Sequence, residues 1–180
     1  TPAPRIAKTW MWARVERNRR MDWLIPIELW AEQMLVAVVA LAATAIAVSI
    51  HYEGVYWLAR RYSGDRVVSG TGRREMLKII FALLGLHVLE IWCYGLAYWL
   101  LVKVPDAGFV HGEHGMDHLF DAVYFSAVTY STVGFGDLSP VGAIRLVSGL
   151  ESLTGLLLIT WSASFTYLEM SRLWRGGNTR

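Results

Sequence analysis

Between two long apolar stretches, this chain carries a helix-forming segment too short to cross a bilayer, followed by glycine-alternating residues that cannot be helical, Thr132-Val133-Gly134-Phe135-Gly136-Asp137. Asp117 offers an N-cap, and Asp121 a favourable charge one turn in, for a short helix running to about Tyr130. Such a helix covers roughly 20 Å at 1.5 Å per residue, against a hydrocarbon core of about 30 Å. The chain must therefore turn back inside the membrane, and irregular backbone survives there only where protein or water surrounds it. Gly134 and Gly136 alternate with residues that bear side chains, and glycine takes positive φ at little cost. The carbonyls of Thr132, Val133, Gly134 and Phe135 can thus all face one axis, with the Thr132 hydroxyl adding an oxygen at the inner end.

Hydrophobic residues make up 54% of the 180, high for a soluble domain that must cover its surface with polar groups. They gather at roughly 33–50, 76–102 and 143–168, each long enough to cross or nearly cross a bilayer. The chain reads as an all-α integral membrane protein. Its parts are a basic amphipathic segment 1–23, an extra transmembrane helix 24–53, a basic cytoplasmic loop 54–75, the re-entrant unit 76–170, and a short cytoplasmic tail 171–180. The polar runs are too short to bury a core, so no separate regulatory domain is expected. Trp23, Trp30, Tyr52, Tyr56, Trp57, Tyr98, Trp99 and Trp174 lie near the ends of the apolar stretches, as an aromatic belt does. Cys93, alone, forms no internal disulfide. Basic residues concentrate in 5–20 and 60–74, near membrane surfaces, which argues against a nucleic-acid partner. The first apolar stretch lacks a small-residue cleavage site and reads as retained.

Several chemical groups invite sharper readings. Arg14, Arg17 and Arg20 recur every third residue but stand in no apolar helix, and the interleaved Trp10, Met11, Trp12 and Val15 suit a segment lying at lipid headgroups. His111, His114 and His118, beside Asp106, Glu113 and Asp117, follow no ligand pattern of known geometry and read as a solvated loop that raises the local cation concentration. His87, Glu90 and Glu151 are ionisable groups inside spanning helices, where such groups pair or carry function.

Taken together, residues 124–140 resemble the pore of tetrameric potassium channels, with Phe135 where that family usually has Tyr. The resemblance extends over about residues 76–170. It implies an outer helix, a pore helix, a selectivity filter at Thr132, Val133, Gly134, Phe135 and Gly136, and an inner helix. Potassium ions would sit at the carbonyls of Thr132, Val133, Gly134 and Phe135. Tyr124 aligns with the pore-helix aromatic that bonds the acidic residue after the filter, here Asp137. Gly155 aligns with a hinge, and Leu156, Ile159 and Ala163, spaced by three and four, with the cavity face. One chain supplies a quarter of an ion cage, so a homotetramer in the inner cell membrane is expected. Potassium is the permeant ion, no cofactor is required and no reaction is catalysed. The whole chain is also similar to short bacterial ion-channel proteins with an extra hydrophobic segment ending in His-Tyr-Glu, here His51-Tyr52-Glu53. Those proteins carry His-x-x-Glu-Ile-Trp, here from His87 to Trp92, and Trp-Ser-Ala-Ser-Phe, here from Trp161 to Phe165. A poorly selective cation channel is the first rival, and Phe135 argues against it. A transporter subunit of repeated helix-loop-helix units is the second, and the chain shows no internal repeat.

Two further expectations concern placement. The stretch 33–50 is uncharged over its length and should span, although that puts Arg5 to Arg20 outside, against the positive-inside tendency. Glu90 lies about 18 Å below the outer end of its helix, and Glu151 about 16 Å below Pro140. At similar depth they should meet, His87 completing one buried cluster whose protonation shifts helix packing and open probability near neutral pH.

Overall fold

In the computed structural model, the described residues are 30–62, 72–112, 115, 116 and 118–177. The amphipathic segment 1–23, with its arginines, lies outside them, as do Glu113, His114 and Asp117. The element order is α1 (Trp30–Tyr62), α2 (Gly72–Leu101), β1 (Phe109–His111), α3 (Leu119–Tyr130), β2 (Ser139–Val141) and α4 (Arg145–Gly177). Helices α1, α2 and α4 are each long and apolar enough to cross a membrane.

Small side chains decide how α1 packs. Val36, Ala40, Ala43 and Ala47 recur at helical spacing and are buried against Tyr94, Ala97, Tyr98 and Leu101 of α2. Lipid is as apolar as leucine, so close backbone approach across small residues, and hydrogen bonds, hold such helices together. Thr44 Oγ1 lies 2.8 Å from the Tyr94 hydroxyl, His51 Nδ1 lies 2.9 Å from Glu90 Oε1, and Gly54 packs on Leu86. Positions rise along α1 as they fall along α2, so the two helices are antiparallel. Farther along, Val55 and Leu58 pack with Met76, Ile79, Leu83 and Phe165.

These contacts extend α1 past the expected end at Glu53. It continues to Tyr62, so the linking segment is shorter than 54–75, and at about 50 Å the helix must tilt or project beyond the hydrocarbon. Helix α2 likewise starts at Gly72 rather than residue 76, and α4 runs through most of the expected tail. Leu35, Val38, Leu41, Phe81, Leu84 and Leu89 are exposed on the single chain, as lipid-facing residues are.

The stretch 104–116 is more than the exposed loop expected. Its strand β1 pairs antiparallel with β2, Phe109 opposite Val141 and His111 opposite Ser139. Gly108, at φ +118°, permits the approach, since a Cβ there would stand 2.3 Å from the Val141 carbonyl oxygen. The helix N-cap is His118 rather than Asp117, and its backbone N–H donates to Asp121 Oδ2 at 2.9 Å.

Candidate functional site: the re-entrant segment and its buried anchors

Helix α3 is seated by its inward face. Ala122, Phe125, Ser126 and Tyr130 are buried, and Phe125 meets Tyr98 edge-on with ring centroids 4.9 Å apart. A Cβ on Gly95 would stand 2.9 Å from the Val123 Cα, so glycine lets α2 lie against α3. At the far end, Ser131 Oγ donates to the Ala127 carbonyl at 2.6 Å. The N–H groups of Val133 and Gly134 return to the Val128 carbonyl at 3.1 and 3.3 Å, closing the last turn.

Beyond this cap the backbone alternates. Thr132, Gly134 and Gly136 have φ of +59°, +56° and +82°, whereas Val133 and Phe135 between them do not enter the positive region. An extended strand points successive carbonyls to opposite sides, and inverting the hand of every second residue brings them to the same side. Positive φ was expected at Gly134 and Gly136. Thr132 is the third, a β-branched residue where positive φ is strained. Residues 131–137 are all exposed on the single chain, Val133 at 56% and Phe135 at 70%. The Tyr124 hydroxyl donates to Asp137 Oδ2 at 2.8 Å. The accepting carboxylate holds the Tyr124 hydroxyl above its ordinary pKa, so it stays a donor.

Helix α4 backs this segment. Ser152 Oγ donates to the Thr129 carbonyl at 3.2 Å, and a Cβ on Gly155 would stand 2.1 Å from the Tyr130 carbonyl oxygen. Glycine is required there by close contact with α3, and the helix runs unbroken through it. Leu156, Ile159 and Ala163 are exposed on the single chain, on a face away from buried Glu151.

The ionisable groups of the spanning helices fall into two sets with separate partners rather than one cluster. Glu151 accepts from Tyr98 at 2.6 Å and from Ser126 at 2.5 Å, joining α2, α3 and α4. Glu90 lies with His87 Nδ1 at 3.1 Å and His51 Nδ1 at 2.9 Å, and also accepts from the Tyr130 hydroxyl. His51 was read as the end of a spanning segment, yet it is fully buried in the middle of α1. Its signal in the sequence was a lone histidine on the buried alanine stripe, four residues after Ala47. Tyr130 and Ser162 carry no such signal, because apolar helices hold many hydroxyls. Of the loop histidines, His111 lies in β1 and His118 caps α3, whereas His114 lies outside the described residues.

No curated protein and no solved structure matches the chain. The family model described as ion channel matches residues 86–170, from within α2 through the re-entrant segment to α4, and this match together with three helices long and apolar enough to cross a bilayer supports a multi-pass membrane protein.

Proposed function

We propose that the chain forms a potassium-selective channel in which four copies surround one axis. The observation that carries this reading is the alternation of backbone hand through Thr132, Gly134 and Gly136, which would turn the carbonyls of residues 132–135 to one side. Carbonyl oxygens in successive rings replace the hydration shell of a potassium ion. A single chain supplies oxygens from only one direction, so a closed ring of copies is needed. The exposed face of 131–137 and of Leu156, Ile159 and Ala163 supports the same arrangement, since these residues would border the axis. Tyr124 and Asp137 brace the outer end of the filter, joined by their hydrogen bond. Conduction is passive, with potassium as the permeant ion and no cofactor, and the inner cell membrane is the proposed location. Protein reconstituted in liposomes, assayed for potassium against sodium flux, tests this. Selective potassium flux is expected, and equal flux of both ions overturns it.

A further inference from the structure

Where the extra helix meets the pore unit, one set of side chains is drawn from four elements. His51 comes from α1, His87 and Glu90 from α2, Tyr130 from the end of α3 and Ser162 from α4. One ligand atom from each of His51, His87 and Glu90 lies within 4.8 Å of the others. Glu90 is fully buried, as is His51, and the His87 side chain keeps 15% of its surface open.

Hydrogen counting shows that something is missing from this set. His51 Nδ1 faces Glu90 Oε1, His87 Nδ1 faces Glu90 Oε2, and the Nε2 atoms of His87 and His51 face Ser162 Oγ at 3.0 and 3.3 Å. Tyr130 adds its contact with Glu90. With the 2.9 Å approach of His87 Nδ1 to the Tyr130 hydroxyl these make six contacts, each of which needs a hydrogen. Two neutral imidazoles, a serine and a tyrosine supply four, and an ionised carboxylate supplies none. If His87 carries its proton on Nε2, its Nδ1 lone pair faces a carboxylate oxygen at 3.1 Å, and the two must share the one hydrogen of the Tyr130 hydroxyl. With the proton on Nδ1, two bare Nε2 atoms share one serine hydrogen. Either way one hydrogen serves two acceptors, and an added proton or a bound metal ion would relieve that sharing in a place with little water.

We infer that His51, His87, Glu90 and Tyr130 bind one divalent transition-metal ion of the zinc class. Both imidazoles ligate through Nδ1, which turns both Nε2–H groups toward Ser162 Oγ. That oxygen has two lone pairs, so it accepts both Nε2–H bonds, as is usual for the far nitrogen of metal-bound histidine. A tetrahedron with metal–ligand bonds of about 2.0–2.1 Å has edges of roughly 3.3 Å. His51 Nδ1 lies 2.9 Å from Glu90 Oε1, His87 Nδ1 lies 3.1 Å from the other carboxylate oxygen, Oε2, and the Tyr130 hydroxyl lies 2.9 Å from His87 Nδ1. Opening the cage requires side-chain shifts of up to roughly an ångström, because the Tyr130 hydroxyl and Glu90 stand in short contact. Two imidazoles and a carboxylate leave the ion with one positive charge. Tyr130 cancels it by binding as phenolate, its proton leaving to water, and the buried site becomes neutral. Imidazole and carboxylate donors in four-coordinate geometry suit zinc, and calcium or magnesium would demand more oxygens. The ion would pin α1 to the end of α3, two residues before Thr132.

Full-length protein is loaded with zinc in detergent, desalted and measured for metal, with oligomeric state followed by size exclusion. About one ion per chain is expected, and cobalt in its place should give the intense visible bands of a four-coordinate site. Glu90→Gln and His51→Gln keep the side-chain shape and should each lower the content to about a tenth or less, whereas Ser162→Ala should weaken affinity roughly 10–100-fold. Replacing His111, His114 and His118 together should leave the content unchanged. Wild-type protein that retains less than about a tenth of an ion per chain after loading overturns the site, since a proton then closes the ring. Full metal content in Glu90→Gln overturns it equally. Should that variant fail to assemble, the wild-type content and cobalt spectrum still decide.

Discussion

Gly134 shows how little of a residue's importance in the proposed filter lies in its contacts. A Cβ added there meets nothing within 4 Å in the single chain, yet its φ of +56° is one that side-chain-bearing residues rarely adopt. Gly134→Ala should therefore abolish potassium flux by turning a carbonyl off the axis while leaving assembly intact. Undiminished selective flux from reconstituted tetramers would refute the filter assignment. Tyr124 acts through one bond, its hydroxyl donating to Asp137 at 2.8 Å. Tyr124→Phe keeps the ring and removes that donor, so sustained potassium current should decay faster, with selectivity retained at early times. Current identical to wild type over long depolarisations would show that the bond does not hold the filter.

Among the elements, α3 is the one that cannot stand alone. Its twelve residues are too few for a stable isolated helix, so packing must supply what length does not. Gly95 and Gly155 let α2 and α4 press on it from both sides, and Glu151 gathers hydroxyls from α2 and α3. Gly155→Ala places a methyl 2.1 Å from a backbone carbonyl, which cannot swing aside as a side chain would. The variant should lose about 1–3 kcal/mol. Thermal unfolding in detergent reads this as a lowered midpoint, and an unchanged midpoint would show that α4 bends there freely.

Across the whole molecule, α1 is an integral partner of the unit formed by α2, α3 and α4. Its antiparallel course beside α2, from the Thr44–Tyr94 contact to the packing of Leu58 near Met76, fixes which end lies on which side. If the mouth of the proposed filter faces outside, the start of α1 should be outside too, despite the basic residues that precede it. Cysteines introduced singly at Ala31 and Arg60 in a Cys93→Ser background test this. An impermeant thiol reagent applied to intact cells should label the first and spare the second. The opposite pattern would invert the orientation.

Sequence alone determined what depends on length, hydropathy and backbone chemistry. Three spanning stretches, a helix too short to span and two glycines at alternate positions were legible, because each is a local property of the chain. The shared face of His87 and Glu90 was legible as well, since helical spacing dictates it. Helix ends were less so. Residues 54–62 stay helical only because Val55 and Leu58 find α2 and α4, a fact that no window of sequence contains. Tertiary structure alone separated Glu151 from Glu90 and brought His51 to the latter across 39 positions. Equal depth in a membrane does not make two carboxyls neighbours, because rotation about each helix axis chooses the partner. That rotation is set by where small residues let backbones approach, and Ala40, Ala43, Gly95 and Gly155 set it here.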